Sequence, residues 1–230
     1  MDVAQKRESC GSPFLCTRIA QCQSGNSAVF SSTVPTHPVC LTGQHVKLVP
    51  LSPDHAEGLR AAVQDGKVWE TWCTIVPKPE GIEQDITRRL SLQQAGTMLP
   101  YTVVSLPENR IVGMTTLMNI DRVSPRVEIG GTWYAASVRR TPLNTEAKFL
   151  LLSHAFEALN CLAVELRTHV LNQTSRRAIE RLGAKLDGIL RCHSRMPDGS
   201  LRDTCVYSIT ATEWPAVRMH LSWYLTQRYS

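Results

Sequence analysis

The chain has 230 residues, of which 43% are hydrophobic and 20% charged, as is ordinary for a soluble globular protein with a substantial core. Its formal net charge of +5 comes without a dense block of Lys and Arg, which argues against nucleic acid as a partner but is compatible with a local site for an anionic cofactor. No apolar run reaches about 18 residues, so neither a membrane span nor a membrane partner is predicted.

The eight cysteines include no CxxC pair, and two of them, Cys161 and Cys205, fall in apolar patterns where reduced cysteine behaves as a small hydrophobe. We therefore expect a reduced, cytoplasmic protein without a metal site. Residues 1–40 differ from the rest, being rich in Ser, Thr, Gln and Cys without a sustained period. They predict a disordered or loosely attached tail, and the folded domain is expected to cover 41–230.

The first half of the folded part is predicted to contain a strand, two helices and three strands in that order. The alternating segment 45–51 predicts a strand, after which Ser52 offers an N-cap and Pro53 suits the first helical position. The Gly130-Gly131 pair predicts a β-bulge in the last of these strands. Helices are predicted at 52–66 and 82–94, and strands at 101–106, 110–118 and 126–134.

The second half alternates helices with strands. Segment 145–160 is apolar on most sides and predicts a helix packed on a sheet, with Asn144 or Thr145 as its N-cap. A strand at 162–170, a helix at 173–183, two strands at 185–196 and 201–210 and a final helix at 213–227 follow. The order βααβββαβαββα indicates a mixed α/β domain, in which a central sheet of about seven strands is flanked by helices.

Two polar segments next to predicted helices are candidates for a site. The segment RRTPLNTEAK at 139–148 joins two arginines to a helix N-terminus, whose outward N–H groups and dipole favour an anion. An ordinary capped loop with solvated arginines is the alternative. In the second segment Asn172 or Thr174 caps the helix 173–183, but Ser175 lies one turn from Ile179 and points toward whatever Ile179 packs on. Capping alone does not require that arrangement.

The order of elements and these two segments resemble the GNAT superfamily of acyl-CoA-dependent N-acyltransferases, and most closely the branch of ribosomal-protein alanine N-acetyltransferases. The resemblance covers about residues 41–213. In that family a loop of pattern (Gln/Arg)-x-x-Gly-x-(Gly/Ala) cradles the CoA pyrophosphate, and Arg139 to Asn144 occupy its place here. NQTSRRAIERLG at 172–183 matches the family pattern Asn-x-x-Ser-x-Arg-Ala-x-x-x-x-Gly, which supplies the second half of the cofactor groove.

The resemblance implies a GNAT fold with acetyl-CoA as co-substrate and no metal. Trp133 and Tyr134 would then line the acetyl or pantetheine channel, although both suit an apolar core equally well. The residues expected to contact the cofactor are Arg139, Arg140, Thr141, Leu143, Asn144, Thr145, Asn172 and Ser175.

This sequence departs from the family pattern at three positions. Pro142 stands where the first loop glycine belongs and has no N–H for a phosphate, and Asn144 replaces the second glycine. Ile179 holds the position where many members carry a tyrosine general acid. Ser175 is therefore the leading candidate for protonating the departing thiolate.

The implied reaction is direct attack of a neutral amine on the acetyl thioester. Deprotonating a lysine at pH 7 costs about 4.6 kcal/mol, whereas an α-amine costs only about 1.4 kcal/mol, which favours a small amine or a peptide N-terminus as acceptor. Glu128 is the candidate general base, with an edge or surface carboxylate as the alternative. Backbone N–H groups of the bulge at 130–134 would hold the thioester carbonyl.

A second function, a GNAT-fold module that binds acyl-CoA without turnover, stays open because of Pro142 and Ile179. The acceptor groove is expected between the first two helices and the 195–202 hairpin turn, with Trp69 and Trp72 in an apolar wall. The sequence leaves the oligomeric state open and is compatible with a homodimer.

Overall fold

A single mixed sheet forms the centre of the domain in this computed structural model, which describes residues 39–228. The predicted tail at 1–40 lies almost wholly outside the described residues. The eight strands follow the order β1-β2-β3-β4-β5-β6-β8-β7 across the sheet. They are β1 (Leu41–Thr42), β2 (Val46–Pro50), β3 (Met98–Ser105), β4 (Arg110–Asp121), β5 (Arg126–Tyr134), β6 (Ala163–His169), β7 (Lys185–Arg195) and β8 (Leu201–Thr210).

Five α-helices accompany the sheet within the part of the chain that the structure describes. They are α1 (Ala56–Gln64), α2 (Ile82–Gln94), α3 (Leu143–Ser153), α4 (Gln173–Arg181) and α5 (Trp214–Arg228). Helices α1 and α2 pack on β4 and β3, whereas α3 packs on β1, β2 and α5. Within residues 39–228 no helix is long and apolar enough to cross a membrane.

The predicted order of elements is confirmed, and the sheet gains only the short strand β1. The predicted caps Asn144 and Thr145 are wrong, because α3 begins earlier, at Leu143, and no side chain caps it. The reason is Pro142, whose φ of −63° already has the helical value, so that the helix starts directly after it. The helix also ends sooner than predicted, in a single π-helical turn at His154–Ala158.

The one parallel pair of the sheet is β5 with β6, and it is short. Only three residue pairs join them, from Arg126–Ala163 to Glu128–Glu165, although both strands continue well beyond. Parallel strands need a long crossover, which the segment containing α3 supplies here. The two strands therefore diverge after Glu128, and a gap opens between their C-terminal halves.

A bulge in β5 lies directly after this last parallel pair, as the two glycines predict. Met114 pairs with Trp133 and Thr116 with Gly130, so that Thr115 alone faces two residues of β5. An extra residue of this kind bends the strand and increases its twist. On the α2 side the guanidinium of Arg89 packs against the bulge, and its Nη1 donates to Thr116 Oγ1 at 2.7 Å.

We expect Gly131→Ala to lower the free energy of unfolding by about 1–2 kcal/mol, because a left-handed φ strains a residue with a Cβ. The φ of Gly131 is +56°, and an added Cβ would lie 2.9 Å from Arg89 Nη1. Urea denaturation followed by circular dichroism measures the change. Gly188→Ala on β7 is the control, since an added Cβ meets no atom within 4 Å there. Equal losses in both variants would contradict the assignment of strain to the bulge.

Candidate active site

The gap between β5 and β6 collects most of the residues expected to act in chemistry. Glu128 lies at the closed end of the gap, where the parallel pairing stops. Trp133 and Tyr134 lie further along β5, at its C-terminal end. Asn172 follows the end of β6 and begins α4. The sheet thus brings two separate parts of the sequence to the two sides of one opening.

Glu128 is buried in the middle of the sheet, with only 7% of its surface exposed, so the reading as an edge or surface carboxylate is wrong. Asn119 Nδ2 donates to Glu128 Oε2 at 2.8 Å, and Arg167 Nε lies 3.4 Å from the same oxygen. Burial raises the pKa of Glu128, and the charge of Arg167 and the bond from Asn119 partly oppose that rise. A carboxylate of this kind is a better proton acceptor than a solvated one.

Glu165, the register partner of Glu128, lies in a different electrostatic environment. Burial alone raises its pKa, but Arg167 and Arg126 together outweigh burial and lower it. Arg126 Nη2 and Arg167 Nη2 each approach a Glu165 oxygen at 2.7 Å. Two neighbouring carboxylates therefore have pKa values that are moved in opposite directions. Glu128, whose pKa is raised, is suited to accept a proton, whereas Glu165, whose pKa is lowered, is suited to remain ionised.

The loop before α3 carries the two arginines of the candidate anion site. Arg139 and Arg140 are exposed, and the backbone of Arg140 is left-handed, with φ of +64°. Thr141 Oγ1 donates to the carbonyl of Val138 at 2.7 Å and fixes the turn. The loop thus presents two exposed cationic side chains beside the start of a helix.

The first turn of α3 supplies backbone donors to the same place. The N–H groups of Leu143, Asn144 and Thr145 are the first three of the helix and have no intrahelical partner, and that of Leu143 donates to Thr141 Oγ1 at 3.4 Å. Leu143 and Thr145 are buried, and Arg181 Nη2 of α4 donates to Thr145 Oγ1 at 3.3 Å. Pro142 adds no donor. Helix donors and two nearby arginines fit an anion such as the diphosphate of a nucleotide cofactor.

Two buried donors at the end of β5 have no partner among the described residues. They are Trp133 Nε1 and Tyr134 Oη. An unsatisfied buried polar atom costs about 1–3 kcal/mol, so such atoms call for an explanation. Both residues were expected to line a cofactor channel, and unpaired donors there fit a ligand that carries hydrogen-bond acceptors.

The start of α4 has the predicted cap. Asn172 Oδ1 accepts the backbone N–H of Ser175 at 3.0 Å, while Ser175 is half-buried and Ile179 is buried. Arg176 does not form a simple surface pair with Glu180: its Nε donates to Tyr207 Oη at 2.9 Å, and Tyr207 Oη donates to Glu180 at 2.8 Å. Arg176 is therefore held on β8.

Of the two tryptophans expected to form an apolar wall of the acceptor groove, Trp72 lies beside the gap and Trp69 does not. Trp72 is 60% exposed, and its ring contacts the His169 ring edge-on at 5.1 Å. His169 is the last residue of β6. Trp69 instead packs partly against the core. Among residues 39–228 no cluster of His, Cys, Asp and Glu is able to hold a metal ion.

Two residues at the bulge were not predicted from the sequence as part of the site. Arg89 and Lys148 are buried on opposite sides of the sheet, and each bonds to a threonine at the bulge. The signal for Lys148 was present, because it is a lysine in the otherwise apolar helix TEAKFLLL. Arg89 gives no such signal, since α2 is polar along most of its length.

The fold, and the pair of parallel strands β5 and β6 that separates after three residue pairs, agree with the class of protein that the sequence resemblance implies, the acyl-CoA-dependent acyltransferases. Within it the chain belongs to the GNAT acetyltransferase family, whose model, described as Acetyltransferase (GNAT) domain, matches residues 45–185. This family uses acetyl-CoA.

Three relatives illustrate the similarity. A Bacillus subtilis protein named as a ribosomal N-acetyltransferase, YdaF, is 26% identical over 76% of this chain and 96% of its own length. A GCN5-related N-acetyltransferase from Brucella melitensis is 28% identical, with a TM-score of 0.74 over 84% of this chain and 89% of that one. Mycobacterium smegmatis RimJ, solved with CoA-disulfide, is 22% identical and shares the fold, with a TM-score of 0.71 over 82% of this chain and 96% of that one.

Replacing the cap residue tests its contribution to stability. We expect Asn172→Ala to lower the free energy of unfolding by about 1 kcal/mol, because the N–H of Ser175 loses its acceptor. Asn172→Asp keeps an oxygen acceptor and is expected to stay within about 0.5 kcal/mol of the parent. Chemical denaturation of the three proteins decides, and an Ala variant as stable as the parent would show that the cap contributes nothing.

Proposed function

We propose that this protein is an N-acetyltransferase that moves the acetyl group of acetyl-CoA to a primary amine, on a small molecule or a peptide or protein N-terminus. The amine nitrogen attacks the thioester carbon directly, the carbon–sulfur bond breaks, and the thiolate leaves with a proton. The observation that carries the proposal is Glu128, a buried carboxylate of raised pKa at the closed end of the gap. Residues 41–230 are proposed to be the catalytic domain.

Glu128 would take the proton of the attacking amine, directly or through water. Its raised pKa brings the carboxylate closer to the pKa of an α-amine than an ordinary carboxylate would be. An α-amine loses its proton at a cost of only about 1.4 kcal/mol at pH 7. A weak base is sufficient for such an acceptor, and the naming of YdaF as a ribosomal N-acetyltransferase supports the same choice.

Acetyl-CoA would bind along the other side of the gap. The N–H groups at the start of α3, with Arg139 and Arg140, suit its diphosphate. Trp133 and Tyr134 would line the channel of the acetyl or pantetheine arm, and Asn172 would face that arm in addition to capping α4. Ser175 would protonate the leaving thiolate, because Ile179 is buried and has no group to donate.

A second candidate function is an acyl-CoA-binding module without turnover. Pro142 favours it, since the loop that faces the cofactor lacks one backbone donor. A panel of amines incubated with acetyl-CoA separates the two functions by the release of free thiol. Thermal stabilisation by acetyl-CoA without thiol release for any amine would support the binding module and refute the enzyme.

We expect Glu128→Gln to reduce kcat/KM by about 10²-fold, because general base catalysis contributes at least that much. In the parent, activity falls as the pH drops through the raised pKa of Glu128, since only the ionised carboxylate accepts a proton. The variant should lose the part of the acid limb that comes from Glu128, while the part due to protonation of the acceptor amine stays. Glu80→Gln, at an exposed carboxylate, is the control and should retain both the activity to within about threefold and the whole acid limb.

Ser175→Ala tests the proposed proton donor. We expect kcat to fall about tenfold with KM for acetyl-CoA within twofold, because a thiolate of pKa about 8.5 leaves without much assistance. Thr174→Ala removes an exposed hydroxyl from the same turn and should change nothing. Full activity of Ser175→Ala would remove Ser175 from the mechanism without affecting the assignment of Glu128.

A further inference from the structure

Lys148 is a buried lysine that the proposed mechanism does not use. It lies on α3, with 7% of its surface exposed, and no salt bridge reaches it within residues 39–228. Its Nζ lies 2.7 Å from Thr132 Oγ1 and 3.3 Å from Thr115 Oγ1. A buried ammonium without a carboxylate is costly, so the position requires an explanation.

The two threonines are the residues that face each other across the bulge. Thr115 on β4 stands opposite Gly131 and Thr132 together, and the hydroxyls of Thr115 and Thr132 lie 2.7 Å apart. Lys148 completes a triangle of three polar groups on the α3 side of the bulge. The hydroxyl of Thr132 also lies 3.4 Å from the carbonyl oxygen of Gly130, which belongs to the bulge backbone.

The protonation state of Lys148 decides which of these bonds form. An ammonium can only donate, so Nζ donates to Thr132 Oγ1 and Thr115 Oγ1, and both bonds are charge-assisted. A neutral amine has a lone pair, so the hydroxyl of Thr132 can donate to Nζ instead, and any bond that the amine still donates is weaker. The protonated form therefore makes the stronger link from α3 to Thr132, a residue of the bulge.

Burial lowers the pKa of Lys148 to about 7, so the two forms interconvert near neutral pH. Tyr101 on β3 stands opposite Thr115, and burial raises the pKa of both Tyr101 and Tyr134, which keeps them neutral. The carboxylate of Glu146 is bound by three backbone N–H groups of the β1–β2 turn. The other charged or titratable groups around Lys148 are Lys47 on β2, Arg110 and Asp121 on β4, Arg126 and Glu128 on β5, His154 and Glu157 in the π-helical turn, Arg181 on α4, and Arg218, His220 and Tyr224 on α5.

We propose that Lys148 is a positioning residue for acetyl transfer, which fixes the bulge of β5 through the hydroxyl of Thr132. This inference rests on the proposed function and on the expectation from the sequence that the N–H groups of that bulge hold the thioester carbonyl. Protonated Lys148 holds the bulge more firmly than neutral Lys148, because its bond to Thr132 is charge-assisted. Loss of the nitrogen should act on the chemical step and leave the binding of acetyl-CoA unchanged.

The kinetic test compares Lys148→Met with the parent between pH 6 and pH 9. We expect kcat of the variant to be about tenfold lower at pH 6, with the difference falling below about threefold at pH 9, where the parent lysine is neutral. KM for acetyl-CoA should stay within twofold. Lys78→Met removes an exposed lysine and should match the parent at every pH. A ratio independent of pH would overturn the proposal.

Changes at Thr132 test the same link without touching the lysine. Thr132→Val removes the hydroxyl and should reproduce the loss of kcat, and the double variant with Lys148→Met should be no worse than either single variant. Thr132→Ser keeps a hydroxyl and should restore the parent kcat to within about twofold. Additive losses, or a serine variant as slow as the valine variant, would contradict the link, and the comparison of serine with valine stands even if Lys148→Met fails to fold.

Backbone amide exchange separates failure of this inference from failure of the proposed function. We expect the protection of Gly131 and Thr132 amides in the parent, corrected for intrinsic exchange, to fall at least threefold between pH 6 and pH 8. In Lys148→Met it should be low throughout. This readout does not need turnover, so a chain that acetylates no amine can still support or refute the role of Lys148. Equal protection in both proteins at pH 6 would overturn it.

Discussion

The short parallel pairing of β5 with β6 is the constraint on which the rest of the site depends. Three residue pairs join the strands, and the bulge that follows on β5 bends the chain away from its neighbour. Backbone groups that would otherwise pair inside a sheet are left along both sides of the opening. Because α3 and α4 each follow one of the diverging strands, their N-terminal residues are carried to the same region.

The bulge is held from both faces of the sheet by long cationic side chains, and the two differ in their electrostatics. Arg89 on α2 has a counter-charge, since its Nε lies 2.7 Å from Asp85 Oδ2. Lys148 on α3 has only neutral hydroxyls, and burial lowers its pKa to about 7. Desolvation without a carboxylate partner makes Lys148 titrate near neutrality.

The local signals of the sequence predicted the elements well. Two adjacent glycines indicated the bulge at Gly131, and an Asn followed by a polar turn indicated the cap at Asn172; the structure has both. The caps predicted for α3 failed because Pro142 started the helix by itself, which residue preferences for capping do not register. The capping preferences of Asn144 and Thr145 favour a later helix start than the fixed φ of Pro142 does, and the helix begins where the proline allows it.

In the candidate site, too, the features that depend on local sequence were predicted, and those that depend on distant residues were not. Composition and periodicity were sufficient for the order of elements and the mixed α/β class, and two segments carried the resemblance that implied the GNAT fold and family. The loop and the cap at Asn172 could be placed because they depend on neighbours within one or two turns. The burial of Glu128, its separation in pKa from Glu165 and the contacts of Lys148 with Thr115 and Thr132 depend on residues far apart in the chain. Only the packing of α3 against the sheet excludes water from that lysine, and desolvation, which no local pattern encodes, sets its pKa.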